Sequence, residues 1–410
     1  MSEEDGPEKP ATGEAGKSPW VSVTLQMELD RCRTPLRDFA AAPDGHPGFA
    51  YSGLIAVRMP VEPDRLPVIA SLPLIMRLLV GARNLGRADK LAWEYPFMFR
   101  GRACSLALMK FGLRLYLEPR DDADDAADAR EIVSKLAAAS RLLEKNLLRS
   151  LVETQVGQNR IIVHNQMGQL RGIYQYFRDL AREAYAGNGL LAKRFDEQHK
   201  DSIFLQGFRS LPEQQEGFFA TVAMITAYFS LLEHLFVFAL AMTDFDPARD
   251  SLKEFIGLRL LEKYKRIFDL TRDQMAHSYY DRLHDVAEKW RNPYDHGGFD
   301  KKGGALSISL PAGLGVIPLI LSDIRTHPTF HFMPERETSF DEVTALFDEI
   351  DAWLRQSYVG PGIAWAEAGL NISFEPERLD DIRQAVAAGK FGELLTKVSY
   401  IADRATNMDW

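Results

Sequence analysis

The chain has 410 residues, 46% hydrophobic and 26% charged, with a formal net charge of -9. That balance fits a globular protein of two or three domains and excludes collagen-like, fibrous and wholly disordered chains. An acidic total also disfavours a protein that coats nucleic acid non-specifically, which would be basic, while leaving room for one local basic cleft.

Two cysteines, Cys32 and Cys104, are too few and too far apart for a disulfide scaffold or a cysteine zinc site. They point to the reduced cytoplasm. Residues 1–18 are acidic, polar and rich in Pro and Gly. They read as a disordered tail and lack a signal peptide's order of basic then apolar residues.

Residues 19–205 read as an N-terminal region with minor β content followed by a long helix. WVSVTLQMEL alternates, with Val21, Val23, Leu25 and Met27 on one face, and FAYSGLIAVRM is a second strand-like run. The pattern turns helical from Leu66 to Leu85. SLALMKFGLRLYLEP, within 94–119, fits either a buried helix or a strand.

The acidic run Asp121, Asp122, Asp124, Asp125 and Asp128 suits a helix N-terminus. Its spacing is not that of a Ca²⁺ loop. From Ala127 to Ala186 no proline appears, so this stretch reads as one long helix or two stacked end to end. Its polar part, QVGQNRIIVHNQMGQ, reads as a solvated helix face. AGNGL breaks the chain at 186–190, and a helix follows to about 206.

Residues 217–243 are nearly long and apolar enough to span a bilayer. Glu233 and His234 sit beyond the middle, and no Lys or Arg closely flanks the segment. A helix apolar on all sides is also what the centre of a helical bundle requires. A buried core helix over about 213–243 is therefore expected, in preference to a membrane anchor. Helical stretches follow at 249–270 and 272–290, then a Gly/Pro-rich segment over 291–338 with one strand-like run, Leu306–Leu310. SFDE at 339–342 matches a capping box and opens a helix carrying Val343, Leu346, Phe347, Ile350 and Leu354. Two short helices fill 376–405.

Most catalytic signatures are absent: no GxxxxGK[ST], HExxH, GxSxG or GxGxxG occurs. The concentrated polar signal is WRNPYDHGG at 290–298. Met275, Tyr279, Leu283, Val286 and Trp290 form a helical stripe before it. Pro293 ends that helix near Arg291 and restricts Asn292 to extended geometry. Arg291 and Asn292 therefore sit at a rigid helix end, and His296 returns on a short loop carrying Tyr294 and Asp295. A fixed Arg holds a phosphate through paired donors, and a His of near-neutral pKa moves protons in RNA cleavage.

RNPYDH resembles the Arg-x4–6-His motif of HEPN domains, often Arg-Asn-x-x-x-His. The order of a long apolar helix, a helix ending in the motif and a closing helix agrees, over roughly 213–358. The resemblance implies a mainly α protein with a HEPN-like helical bundle at 206–358 and a helical extension at 359–410. It also implies metal-independent endoribonuclease activity without a cofactor, in a homodimer whose two motifs meet. Arg291 would bind the scissile phosphate, Asn292 would position it and His296 would act as general acid and base. Some family members are inactive RNA-binding or scaffolding modules. A prokaryotic defence or toxin setting, with a protein regulator or antitoxin, is implied only by the resemblance. From Lys253 to Lys302, eleven Lys/Arg face nine Asp/Glu, so this half is relatively basic.

Glu233 needs a partner inside an apolar helix. Two readings stand: it receives Arg291 or orients His296, or it belongs to a structural pair. His277, Asp281 and His284 share one helical face, but no fourth ligand accompanies them and no metal site is expected. Tyr279 reads as core.

Overall fold

The computed structural model describes residues 23–61, 69–121, 124–201, 210–291, 307–309, 316–318 and 337–408. The protein is mostly helical with a small antiparallel sheet. It divides into two units: 1–154 with 400–410, and 155–399. The division falls after Thr154, earlier than the expected boundary after residue 205. The expected tail over 1–18 lies outside the described residues.

In the first unit a five-stranded sheet has the order β1-β3-β4-β5-β2. Its strands are β1 (Phe39–Ala41), β2 (Val57–Pro60), β3 (Leu91–Phe99), β4 (Arg102–Met109) and β5 (Gly112–Leu117). The ambiguous stretch is thus strand. Arg100 and Gly101, both at positive φ, join β3 to β4 as a two-residue loop between the paired Phe99 and Arg102. Such a turn matches strand twist and selects a hairpin over a helix. Phe97, Phe99, Cys104, Leu106, Leu115 and Leu117 form one buried face. It packs with α1 (Val23–Arg33), the helical run α2 (Ile69–Val80) and α3 (Asp125–Leu143).

The strand expected over 20–29 is corrected: from Val23 the chain is helical. The buried positions are Leu29, Cys32 and Leu36, at helical spacing, while Met27 is exposed. Glu28–Arg31 and Asp30–Arg33 pair across one turn, an arrangement only a helix offers. The second strand-like run keeps only Val57–Pro60. The acidic run behaves as expected at a helix start: the Asp124 side chain accepts from the Ala127 amide. Asp125 and Asp128 hold the buried Arg102, whose Nε donates to the Glu118 carbonyl.

The one long helix, or two stacked end to end, expected over 127–186 is interrupted by a strand. α3 passes through a π turn (Glu144–Leu148) into α4 (Arg149–Gly157), and α5 (Met167–Tyr185) starts afresh. Between them β6 (Ile162–Val163) pairs antiparallel with β9 (Ile372–Ser373). Asn159 makes the break. It has φ 54° and is 2% exposed. Its amide group donates to the carbonyls of Pro247 (2.8 Å) and Asp250 (2.6 Å), and its oxygen accepts from Leu252 N–H (2.8 Å). The polar stretch read as a solvated helix face is in part a buried polar knot.

The second unit is organised on α7 (Ser210–Leu240), 31 residues long. Met224, Tyr228, Leu232, Leu235, Phe236 and Ala239 are buried, and two-thirds of its most apolar window is covered. Its neighbours are α5, α6 (Leu190–His199), α9 (Leu260–Ile267), α11 (Glu337–Gln356) and α12 (Gly360–Glu367). The stretch 249–270 is two short helices, α8 (Leu252–Gly257) and α9, the first capped by Ser251 accepting from Glu254 N–H. α11 begins at Glu337, so Ser339 lies inside the helix and not at its cap. Val343, Leu346, Phe347, Ile350 and Leu354 are buried as expected. α12 was not anticipated. Its Gly362 lies against α7, where an added Cβ would sit 2.6 Å from the Phe238 carbonyl oxygen. The strand-like run at 306–310 appears as β7 (Ser307–Ser309), paired with β8 (Val316–Pro318). α13 (Pro376–Ala387) and α14 (Phe391–Asn407) are the two expected C-terminal helices.

Candidate functional site

α10 (Gln274–Val286) starts at Asp273, whose side chain accepts from Ala276 N–H, and runs into a π turn at Ala287–Arg291. Ala276, Tyr279, Leu283, Val286 and Trp290 are buried. The expected stripe therefore holds except at its first member: Met275 is 55% exposed, and Ala276 takes the inner position. The Trp290 ring lies 5.7 Å from the Phe218 ring of α7. This stacking fixes the end of α10 immediately before the polar loop. Arg291 is the last described residue there. Asn292, Tyr294, Asp295 and His296 lie outside the described residues.

Beside this helix end a groove of about 410 Å³ runs between α10 and α11, with Arg282, Lys289, Trp290, Glu342 and Leu346 among its walls. Arg282 pairs with Glu349 at 2.7 Å and Lys289 with Asp285 at 2.9 Å. Both cations are half-exposed, so these pairs are weak and open to exchange with another anion.

Among the described residues Glu233 pairs with Lys263, while the Arg291 side chain and His296 of the other reading lie outside them. Glu233 Oε2 accepts from Lys263 Nζ at 2.9 Å, and Lys263 is 4% exposed. His234 turns another way: its Nε2 accepts from the Gln166 amide at 3.0 Å, and burial pushes its pKa down. His277 and Asp281 lie 3.5 Å apart on an exposed face, with His284 near Glu288 instead. Among the described residues no group of three His, Cys, Asp or Glu side chains could hold a metal ion. Tyr279 is core, and Tyr280 lies under Lys265 Nζ at 4.8 Å from the ring centre.

A second cavity, about 270 Å³, was not foreseen. It lies between α5 and α11 and is lined by Arg171, Tyr174, Gln175, Arg178, Asp348, Asp351 and Arg355. Arg178 grips Asp348 with two bonds, 2.7 and 2.6 Å, and donates to Tyr174 Oη at 3.2 Å. Tyr228 Oη donates towards Asp351 Oδ1 (3.0 Å) and the Phe347 carbonyl (3.1 Å). Burial pushes Tyr174 up to about 12 and raises the Asp351 carboxyl above its ordinary range. Arg171 and Arg355 both approach Glu367 Oε1, at 3.4 and 2.8 Å, and Asp351 Oδ2, at 3.8 Å each. Arg171 Nε and Arg178 Nε are buried with no acceptor. The signal was two pairs at seven-residue spacing, Arg171/Arg178 and Asp348/Arg355, each indistinguishable alone from a solvated helix face.

No family model, curated protein or solved structure matches this chain.

Proposed function

We propose that the protein is a metal-independent endoribonuclease with a HEPN-like helical bundle over residues 206–358. The observation that carries this reading is the anchoring of Trp290, the residue immediately before RNPYDH. A buried Trp290, packed on the long apolar helix, fixes the helix end that presents Arg291, beside an open groove with Arg282 and Lys289 on its walls. The order of elements on which the resemblance rests, long helix then motif helix then closing helix, supports it further.

In this mechanism Arg291 holds the scissile phosphate and Asn292 orients it. One His296 accepts the 2′-hydroxyl proton as the 2′-oxygen attacks phosphorus. A second His296, from the other copy of a homodimer, protonates the departing 5′-oxygen. The products carry a 2′,3′-cyclic phosphate and a 5′-hydroxyl. Charge stabilisation and proton transfer both come from side chains, so no divalent ion is required. Tyr294 and Asp295 are supporting residues in the same reading. The RNA target, a regulator or antitoxin, and a cytoplasmic defence setting belong to the same reading.

The deciding experiment compares purified wild type with His296→Ala and Arg291→Ala on labelled RNA. Each substitution is expected to lower cleavage by about 10²–10⁴-fold. Undiminished cleavage by His296→Ala, in a protein that keeps its circular dichroism, refutes the assignment. A wild type that binds RNA without cutting it establishes the inactive binding module instead.

A further inference from the structure

We propose that the cavity between α5 and α11 is a binding site for the terminal phosphate of a phosphate monoester, built on Arg171, Arg355 and Arg178. The inference is independent of the nuclease reading. It uses none of that reading's residues.

Three arginines line one cavity, and the Nη donors of two of them, Arg171 and Arg355, are largely unspent among the described residues. Among the described residues, Arg171 makes one hydrogen bond, a long one of 3.4 Å to Glu367, and its Nε is buried without an acceptor. Arg355 makes one, from Nε to the same Glu367 oxygen. Both Nη groups of Arg355 are unspent, as is Nη1 of Arg171. Arg178 is held firmly by Asp348 through both Nη groups, yet its buried Nε has no partner. A guanidinium that is merely structural is ordinarily satisfied by carboxylates at hydrogen-bond distance. Here Arg171 and Arg355 share the same two carboxylate oxygens, and Asp351 stands 3.8 Å from each. Those contacts are too long to be hydrogen bonds.

A tetrahedral anion fits this set of vacant donors better than a further carboxylate does. Its oxygens diverge, so it can meet the Nη groups of Arg171 and Arg355 at once, whereas a carboxylate presents one plane. A terminal phosphate offers three free oxygens and a diester only two, which favours a monoester over an RNA backbone. The volume, about 270 Å³, admits a phosphoryl group and the first part of what carries it. The resident carboxylates do not forbid a second anion. Asp348 is committed to Arg178, and burial already weakens the charged form of Asp351. That carboxyl faces Tyr228 Oη, Arg171, Arg355 and Asp348.

Calorimetric titration of the full chain with inorganic phosphate, adenosine monophosphate and a dinucleoside monophosphate tests the proposal at fixed ionic strength. Saturable binding of the first two is expected, with the diester at least about tenfold weaker. Arg171→Lys keeps the charge but loses the fork, and Arg355→Gln loses both. Each should weaken phosphate binding by about tenfold or more, while Arg249→Gln, at an exposed site elsewhere, leaves it unchanged. In the wild type, phosphate should also protect Arg171 and Arg355, but not Arg249, from phenylglyoxal, read by mass spectrometry. Absence of saturable phosphate binding overturns the site. So does equal affinity in the Arg171 and Arg355 variants, or absence of protection where those variants fail to fold. A diester that binds as well as the monoester overturns the ligand class.

Discussion

Replacing Asn159 by Ala should cost this protein about 3–7 kcal/mol of stability. The side chain is 2% exposed and carries three bonds: two donated to the carbonyls of Pro247 and Asp250, and one accepted from Leu252 N–H. Leu252 is fully buried, so no water replaces the lost acceptor. An orphaned buried N–H costs about 1–3 kcal/mol. Each carbonyl loses a donor, adding roughly 0.5–1 kcal/mol apiece. Asn also tolerates the φ of 54°, where alanine is strained by about 1–2 kcal/mol. The strain can be separated from the bonds. Asn159→Gly loses the same three bonds but relieves the backbone, so it should be about 1 kcal/mol more stable than Asn159→Ala. Urea unfolding measures the totals, and hydrogen exchange at the Leu252 amide reports the local break. An Asn159→Ala protein within 1 kcal/mol of wild type, or a glycine variant worse than alanine, would refute the reasoning.

Gly362→Ala should destabilise by about 1–3 kcal/mol, because its Cβ would lie 2.6 Å from a backbone carbonyl of α7 that cannot swing aside. Gly172→Ala, which meets nothing within 4 Å inside α5, should instead raise the melting temperature; both are read by calorimetry. His234 has a native pKa below its unfolded value of 6.5, so the unfolded chain binds the extra proton first. Stability is therefore full above that value and falls as the pH drops below it. His234→Gln, whose carbonyl still accepts from Gln166, should flatten that slope in pH-dependent melting, and an unchanged slope would exclude the linkage. RNA cleavage should persist in EDTA, and light scattering should give twice the chain mass for the cutting species. Loss of activity restored by Mn²⁺, or a cutting monomer, would each remove that part of the mechanism.

The parts of the fold that depend on long uniform patterns were legible. α7 announces itself by its unbroken apolar run, α11 by its buried stripe, and α3 by Asp124 at its start. What escaped depends on short signals or distant partners. Val21 to Met27 alternates for only four positions, too few to outweigh the helical spacing of Leu29, Cys32 and Leu36. The β3–β4 hairpin turns on one Arg-Gly pair. Asn159 looks like any polar helix residue until its partners, some ninety positions away, are beside it. The same holds for sites. RNPYDH is contiguous and could be read at once. The arginine cavity is assembled from α5 and α11, about 180 positions apart, with nothing on either helix to mark the other as its counterpart.

The clasp between β6 and β9 has a consequence for biosynthesis. Asn165 is tied to the carbonyls of Ala366 and Leu370, and β6 to β9, across some 200 residues. At about 5–20 residues per second, a ribosome needs roughly 10–40 s to deliver the second half of that clasp after the first. α7 emerges in the interval without α11 or α12. During that time the faces of α7 that α11 and α12 later cover stay open, on a helix long and apolar enough to cross a membrane. Correct maturation of this protein is therefore a race. Holdase chaperones that shelter the 210–240 segment, or slower initiation that limits crowding on the polysome, should raise the yield of native chain more than any change to its final contacts.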